Sequence, residues 1–576
     1  MESAATADAA KPAKKTNEVL VIGASGVGTM FEWYDFFLYG SLIANINQHY
    51  FNGVDESTGF ILALMAFAAG FVVRPFGGLI FGGLGDMFGR KATFLIALVI
   101  MGASTFLVGF LPDYNQIGIA APIILVFLRV CQGLAVGGQY GGAMIYVAEH
   151  SKPGQRGWAT SWIQITATVG LLLSLVLIIV VQTNTSAFSF IHSMLSATGI
   201  TTTETKGDAF ADWGWRVPFM MSILLLVCSL WIRLQLNESP VYQKMKAEAA
   251  TSKKPYSETF KWSNFKYVLI ALFGCVAGQA VIWYSGTLYG LYFLQQTLKV
   301  PAIDAYEIMA IALGLGTPAY LFFGWLSDKI GRKPLVLAGL LLPVLTYFFL
   351  FHQITEYVNP ALAAAQTNSP VVVSADNSTC SFQFDPVGKN KFDSTSCDIV
   401  KNYLPKQGVS YDSKPLPAGS VAQVAIGSKT ITAPDPTKLA GKERADAIAA
   451  FQKEVRADLS AAGYPTAVDP TKINKLMVIL IIALTTVFTA MVYGPMAAML
   501  VELFPARIRY TSLSLPYHIG NGWFGGLLPT TAFMIVAATG NIYSGIWYPV
   551  IIAGITFVLA IFLLPETRGR EISHNA

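Results

Sequence analysis

Twelve apolar stretches, each about the length of a bilayer crossing, run through this 576-residue chain. They lie near 19–46, 58–83, 92–111, 119–147, 158–182, 215–236, 267–296, 305–326, 334–353, 474–500, 511–537 and 546–565. A helix needs about 20 apolar residues to cross a hydrocarbon core of about 30 Å. With 53% hydrophobic residues, 13% charged residues and a mean hydropathy of +0.51, a water-soluble fold would leave too much apolar surface exposed. The expected fold class is an all-α membrane protein with twelve transmembrane helices. An even number of spans puts both termini on one side.

The basic residues predict which side, because Lys and Arg near span ends are retained in the cytoplasm. Lys11, Lys14 and Lys15 precede span 1, Arg90 and Lys91 follow span 2, and Lys152 and Arg156 follow span 4. Lys244, Lys246, Lys253, Lys254, Lys261 and Lys266 fill the central loop, and Lys329, Arg332 and Lys333 follow span 8. Arg507 and Arg509 follow span 10, and Arg568 and Arg570 end the chain, whereas the loops at 47–57 and 112–118 have neither Lys nor Arg. Both termini are therefore expected in the cytoplasm. The long first span contains Glu32 and Asp35, so no signal-peptide cleavage is expected.

The chain also repeats itself. GGLGDMFGRK, with Asp86, Gly89, Arg90 and Lys91, returns as GWLSDKIGRK, with Asp328, Gly331, Arg332 and Lys333, 242 positions later. Glu149 and Arg156 are seven apart after span 4, as are Glu502 and Arg509 after span 10; Glu238 and Glu566 form a third pair after spans 6 and 12. The differing offsets are accounted for by a longer loop at 183–214 and an insert at 354–473. Two six-helix bundles follow, the architecture of a duplicated transporter.

The sequence resembles the major facilitator superfamily and, within it, the metabolite:proton symporter family. The resemblance rests on EWYDFFLYG at Glu32–Gly40, VRPFGG at Val73–Gly78, both signature loops, RVCQGLAVGGQYGGA at Arg129–Ala143, WGWRVPF at Trp213–Phe219 and ELFPARIRYTS at Glu502–Ser512. It implies two bundles, alternating access and uptake of small organic solutes such as carboxylates, shikimate-like acids, betaine or proline. The family commonly has an acid where Gln139 stands. The expected organisation is a tail at 1–18, a six-helix bundle at 19–236, a central loop at 237–266, helices 7–9 at 267–353, an insert at 354–473, helices 10–12 at 474–565 and a tail at 566–576. A bacterial inner-membrane location is expected.

An ionisable side chain deep in a span faces a polar site or a partner. Glu32 and Asp35, three apart, share a helix face with Tyr39 one turn on. Both are candidates for proton coupling, Asp35 first. Arg129 lies near the midplane of span 4, where its planar fork could hold a substrate carboxylate or serve as counter-ion to an acid on span 1. Gln132 and Gln139 continue its stripe. Tyr39 in span 1, Arg74 in span 2, Gln132 and Gln139 in span 4, Gln279, Trp283 and Tyr284 in span 7, and His518 and Asn521 in span 11 are further substrate-site candidates. A gating role is expected for Asp86, Arg90, Lys91, Glu149, Arg156, Asp328, Arg332, Lys333, Glu502 and Arg509. The two aspartates would attract helix N-termini and the cations would pair with neighbouring acids.

The insert has twelve basic and twelve acidic residues over 354–473, and such charge balance suits a long translocated loop. Residues 437–462 read as an amphipathic helix and the rest as turns and short extended pieces. Cys380 and Cys397 are alone in it, which predicts a disulfide in an oxidising compartment; the insert as a whole reads first as a tolerated linker, with a lid or a periplasmic partner-binding module as the alternatives. Gly23, Gly26 and Gly28 sit within a span, so they favour helix packing over nucleotide binding. No phosphate-binding loop or metal-ligand run occurs, and no cofactor, metal or nucleic-acid partner is expected. The expected partners are a small-molecule substrate, protons and the bilayer. The function expected is secondary active transport, not an enzymatic activity. A passive facilitator and a solute-sensing receptor are the alternatives.

Overall fold

Spans 1 to 6 pack on one another, and so do spans 7 to 12. The computed structural model describes residues 18–572 except 53–55, 203, 206, 235–239, 249–251, 382–391, 440 and 466. The residues preceding span 1 and Glu238 lie outside the described residues, as does the side chain of Arg90. Among the described residues, eleven helices are long and apolar enough to cross a membrane: Gly59–Met87, Lys91–Gly109, Ala120–His150, Arg156–Thr183, Arg216–Leu234, Trp262–Thr297, Ala302–Ile330, Lys333–Val358, Lys475–Leu503, Ala506–Thr539 and Ser544–Leu563. The 24-residue helix Glu18–Ser41, packed against the five spans that follow it, precedes them as span 1 and makes twelve.

The two bundles meet along spans 2 and 11 and along spans 5, 8 and 10. In both signature loops the helix ends on a glycine whose backbone is closed to other residues: Gly89 has φ 116° and Gly331 φ 103°. Each reverses the chain into the next helix within one or two residues. Spans 2 and 4 approach through glycines, since a Cβ on Gly133 would lie 1.9 Å from the Gly70 carbonyl oxygen and one on Gly137 2.3 Å from that of Arg74. Span 2 is interrupted at Val73, where Pro75 cannot donate to the helix ladder.

Two boundaries differ clearly from the sequence reading. Span 7 starts at Trp262, inside the loop expected to reach 266, and span 9 continues to Val358, beyond the expected end at 353. The loop at 183–214 contains a short helix, Ser189–Ala197.

The insert is more ordered than turns and extended pieces. Strands β1 (Val371–Ala375), β2 (Tyr411–Pro415), β3 (Gln423–Ile426) and β4 (Lys429–Thr432) form a sheet in the order β2-β1-β3-β4, with β1 and β2 parallel. Helices Pro360–Asn368, Ser396–Lys406 and Gly441–Ala461 accompany it, and Cys380 is bonded to Cys397 with the Cα atoms 5.3 Å apart. The insert is fastened to the second bundle: Tyr411 N–H donates to the Gly540 carbonyl at 3.2 Å and Ile542 N–H to Ser410 Oγ at 3.0 Å.

Candidate functional site

The glycine-lined approach of spans 2 and 4 brings two arginines to the middle of the molecule. Arg74 and Arg129 are both fully buried. The Arg74 guanidinium lies 5.3 Å from the ring centroid of Trp33, 5.4 Å from Phe36 and 5.5 Å from Phe71. That of Arg129 lies 4.8 Å from Phe36, 4.6 Å from Tyr39 and 5.1 Å from Phe67. Sharing Phe36, the two guanidinium carbons are at most about 10 Å apart. Arg129 also donates to Gln132 Oε1, and Gln132 in turn to Thr105 at 2.9 Å. Among the described residues neither arginine has a carboxylate partner. Aromatic faces offset only part of a buried cation's lost hydration.

The opposite wall comes from the second bundle. Span 7 contains three π-helical turns, at Leu272–Val276, Ser285–Tyr289 and Phe293–Thr297, and Gln279, Trp283 and Tyr284 sit between the first two. Such turns re-aim side chains and recur at functional sites. Trp283 stacks on Phe37 at 5.0 Å, Tyr284 meets Phe71 edge-on at 5.4 Å, and Tyr517 stacks on Tyr140 at 4.3 Å. Asn521 donates to Gln279 Oε1 at 3.1 Å. His518 is fully buried, and a Cβ on Gly78 of span 2 would touch its ring. The candidates from both bundles therefore converge on one layer.

That layer is rich in unpartnered polar atoms, and donors dominate. All three Arg74 side-chain nitrogens, Nε and Nη2 of Arg129, Trp33 Nε1 and Gln279 Nε2 lack hydrogen-bond partners. The unpartnered acceptors include Asp35 Oδ1 and Gln164 Oε1, while Gln139 is unpartnered at both ends of its amide and His518 at both ring nitrogens. Buried donors left open cost about 1–3 kcal/mol each. Their concentration leaves this layer with more open donors than acceptors.

The two acids of span 1 part company. Glu32 is ion-paired with Arg233 of span 6, whose guanidinium also lies 3.6 Å from the centroid of Phe94. A side chain at Gly28 would collide with that guanidinium. Asp35, only 4% exposed, makes no ion pair among the described residues. In this structure Arg129 is therefore the counter-ion of neither acid. The cation that Glu32 does pair with, Arg233, was missed in the sequence because a cation three residues before the end of span 6 looks like a flanking topology signal. Tyr39 stacks on Phe67 with centroids 5.6 Å apart and donates to the Ala63 carbonyl at 3.2 Å.

Both ends of the layer are shut. On the insert side, Tyr292 and Tyr306 of the second bundle donate to the carbonyls of Gly40 and Ser41 at 2.9 and 2.8 Å, where span 1 breaks before the short helix Ile43–Tyr50. On the other side the two repeats exchange partners. Asp86 Oδ2 accepts from the backbone N–H of Thr511 at 2.9 Å and its hydroxyl at 2.8 Å, capping the start of the long helix of span 11. Asp328 accepts from the backbone N–H groups of Gly157 and Trp158 at 2.9 and 2.8 Å, capping span 5. Glu149 pairs with Arg509 at 3.0 Å, and Glu502 with Arg156 at 3.7 Å and Arg332 at 3.3 Å. The aspartates, and the pairs Glu149–Arg509 and Glu502–Arg156, all join one bundle to the other. Lys91 and Lys333 donate to the Leu234 and Ile561 carbonyls at 3.0 and 2.8 Å instead of pairing with Glu149 or Glu502.

The C-terminal tail completes this closure. Arg156 donates to the Arg570 carbonyl at 2.5 Å and Arg509 to that of Ile572 at 3.3 Å. Glu566 accepts from the backbone N–H groups of Arg332 and Lys333 at 3.0 and 3.1 Å. Burial pushes the Glu566 carboxyl upward, but four backbone N–H donors outweigh it and hold the group below the usual glutamate range.

The model of the "Sugar (and other) transporter" family matches residues 20–259 and 459–575. The shikimate transporter of Escherichia coli (strain K12) is 34% identical over 331 residues, 57% of this chain and 70% of the relative. The proline/betaine transporter of the same strain is 33% identical over 330 residues, 55% of this chain and 61% of the relative, so the match spans less than two thirds of its length. The major facilitator superfamily proton:xylose symporter XylE, solved with 6-bromo-6-deoxy-D-glucose, superposes with a TM-score of 0.58 at 15% identity, covering 96% of this chain and 97% of that one. A partially occluded inward-open form of the Escherichia coli xylose transporter gives 0.56 at 14% identity, with 96% and 99% covered. At such identity the likeness concerns the fold. The chain belongs to the sugar (and other) transporter family and shares the fold of these solved transporters: it is a multi-pass membrane transporter and not an enzyme.

Proposed function

We propose that the protein is a proton-coupled symporter of a small organic acid, working by alternating access with the signature loops and both termini on the cytoplasmic side of a bacterial inner membrane. One arrangement supports the reading: two buried guanidiniums without carboxylate partners share the ring of Phe36, and the residue before it on span 1 is a buried, unpaired carboxyl, Asp35. A solute carboxylate entering between Arg74 and Arg129 supplies the missing counter-charge. Its arrival changes the balance of charge around Asp35, linking solute binding to proton occupancy. Glu32, already neutralised by Arg233, is left as a structural ion pair.

The excess of open donors over open acceptors favours an anion with several acceptor oxygens over a quaternary ammonium zwitterion. A hydroxylated or dicarboxylic acid fits this pattern, with Gln139, Gln279 and His518 addressing its polar substituents. The insert is read as an extension of the second bundle: its backbone bonds reach the Gly540–Ile542 loop, and among the described residues 360–474 no large apolar side chain is exposed for a partner.

The test is reconstitution of the purified chain in vesicles with a pH-sensitive dye inside. Adding a panel of hydroxy acids, dicarboxylates and betaines should acidify the lumen as an acid enters. Solute entry without proton movement would replace the reading with a passive facilitator, and saturable binding without exchange would replace it with a receptor.

A further inference from the structure

The segment joining the two bundles has a surface that solute transport leaves unused. Residues 252–266 pass through the short turn Pro255–Thr259 to Trp262, the first residue of span 7. On the face with the signature loops, Tyr256 and Phe260 are, among the described residues, the large apolar side chains exposed outside the spans; Trp262 beside them is 69% exposed. Lys253, Lys254, Lys261 and Lys266 are exposed around them. The single acid of the segment, Glu258, is already engaged, accepting from Ser252 Oγ at 2.7 Å and pairing with Arg507 at 3.0 Å.

Lysines alone would satisfy the topology rule. Topology does not require aromatic side chains held outward beside them, whereas a membrane interface accepts aromatic rings at headgroup depth and lysines beside anionic headgroups. The same segment also touches both halves. The Tyr256 ring fills the space that a side chain at Gly83 of span 2 would need, and Thr259 Oγ1 lies 2.8 Å from Ser512 Oγ of span 11.

We propose that residues 252–266 dock anionic phospholipid headgroups through Lys253, Lys254, Lys261 and Lys266, with Phe260 and Trp262 seated in the interface, and that lipid held there braces the closed seam. This rests on the linker's own contacts and not on proton coupling or solute identity.

The test uses the full chain in phosphatidylcholine vesicles with and without about a third phosphatidylglycerol, one lipid at a time carrying brominated acyl chains that quench tryptophan. Subtracting the Trp262→Phe signal isolates Trp262. Brominated phosphatidylglycerol should quench this component about twofold more than brominated phosphatidylcholine, and about 1 M salt should abolish the preference. The variant K253Q/K254Q/K261Q/K266Q should lose the preference too. Phosphatidylglycerol should also slow hydrogen exchange of the Thr511 amide in the wild type but not in this variant, whose fold is checked by its thermal transition. Equal quenching by the two lipids, or a preference that survives the four substitutions, overturns the docking site. Thr511 exchange indifferent to phosphatidylglycerol overturns the bracing.

Discussion

Phe36 stands between Arg74 and Arg129, and the uncompensated charge of that pair dominates the midplane layer. Losing either charge should cost a bound acid about 1.5–3 kcal/mol, or about 10- to 100-fold in affinity. Titration calorimetry of Arg74→Gln and Arg129→Gln checks this; unchanged affinity in both would move the solute elsewhere. Arg233→Gln should act differently, because it strands the buried Glu32: a loss of thermal stability is expected, partly restored when Glu32→Gln is added. A double variant no more stable than the single would deny the coupling. At this scale the sequence exposed which residues matter but not how they pair. Glu32, Asp35, Arg74 and Arg129 stand out because ionisable groups are expensive inside apolar spans. Their partners depend on helix rotation, and the Glu32–Arg233 pair joins residues 201 positions apart across an interface that no local pattern encodes.

Among elements, the two aspartate caps tie each bundle to a helix start of the other. Removing one cap costs about 0.5–2 kcal/mol, so Asp86→Ala should open the seam several-fold more often while leaving solute affinity within about threefold. Faster hydrogen exchange at Thr511 with reduced turnover would be the signature; unchanged exchange and turnover would leave Asp86 a topology signal. The Glu566 turn adds a pH dependence with a defined sign. Its carboxyl is held below the ordinary value of about 4.3, so its contribution is complete above that value and is lost as pH falls through the lowered one. Proteolysis of the tail should accelerate on acidification through this window in the wild type, and Glu566→Gln should remove the step. The signature spacing made the caps legible as helix-terminus ligands because glycine, aspartate and flanking cations fall at fixed offsets. Exchange between the repeats was not legible, since it follows from how two bundles face each other. The π-helical turns of span 7 were also invisible, as they share no residue pattern: LFGCV at Leu272–Val276 is apolar, whereas FLQQT at Phe293–Thr297 is largely polar.

For the whole molecule, twelve spans and a long insert were legible because bilayer thickness dictates helix length. The insert's sheet was not: its strands are four or five residues long, and β2 is exposed along most of its length. Because the insert's backbone bonds reach the second bundle, replacing it with a short turn should lower thermal stability yet preserve solute exchange; loss of exchange in a folded variant would make it part of the mechanism. Alternating access concentrates a solute only if the loaded and empty carriers differ in protonation, and the account assigns that difference to Asp35. The direct measurement compares wild type and Asp35→Asn in vesicles, following labelled solute under an imposed proton gradient and under exchange without one. The account predicts that Asp35→Asn loses proton-driven accumulation and retains exchange. Accumulation against a solute gradient by that variant, with wild-type acidification of the lumen, would contradict it and transfer the role to Glu32.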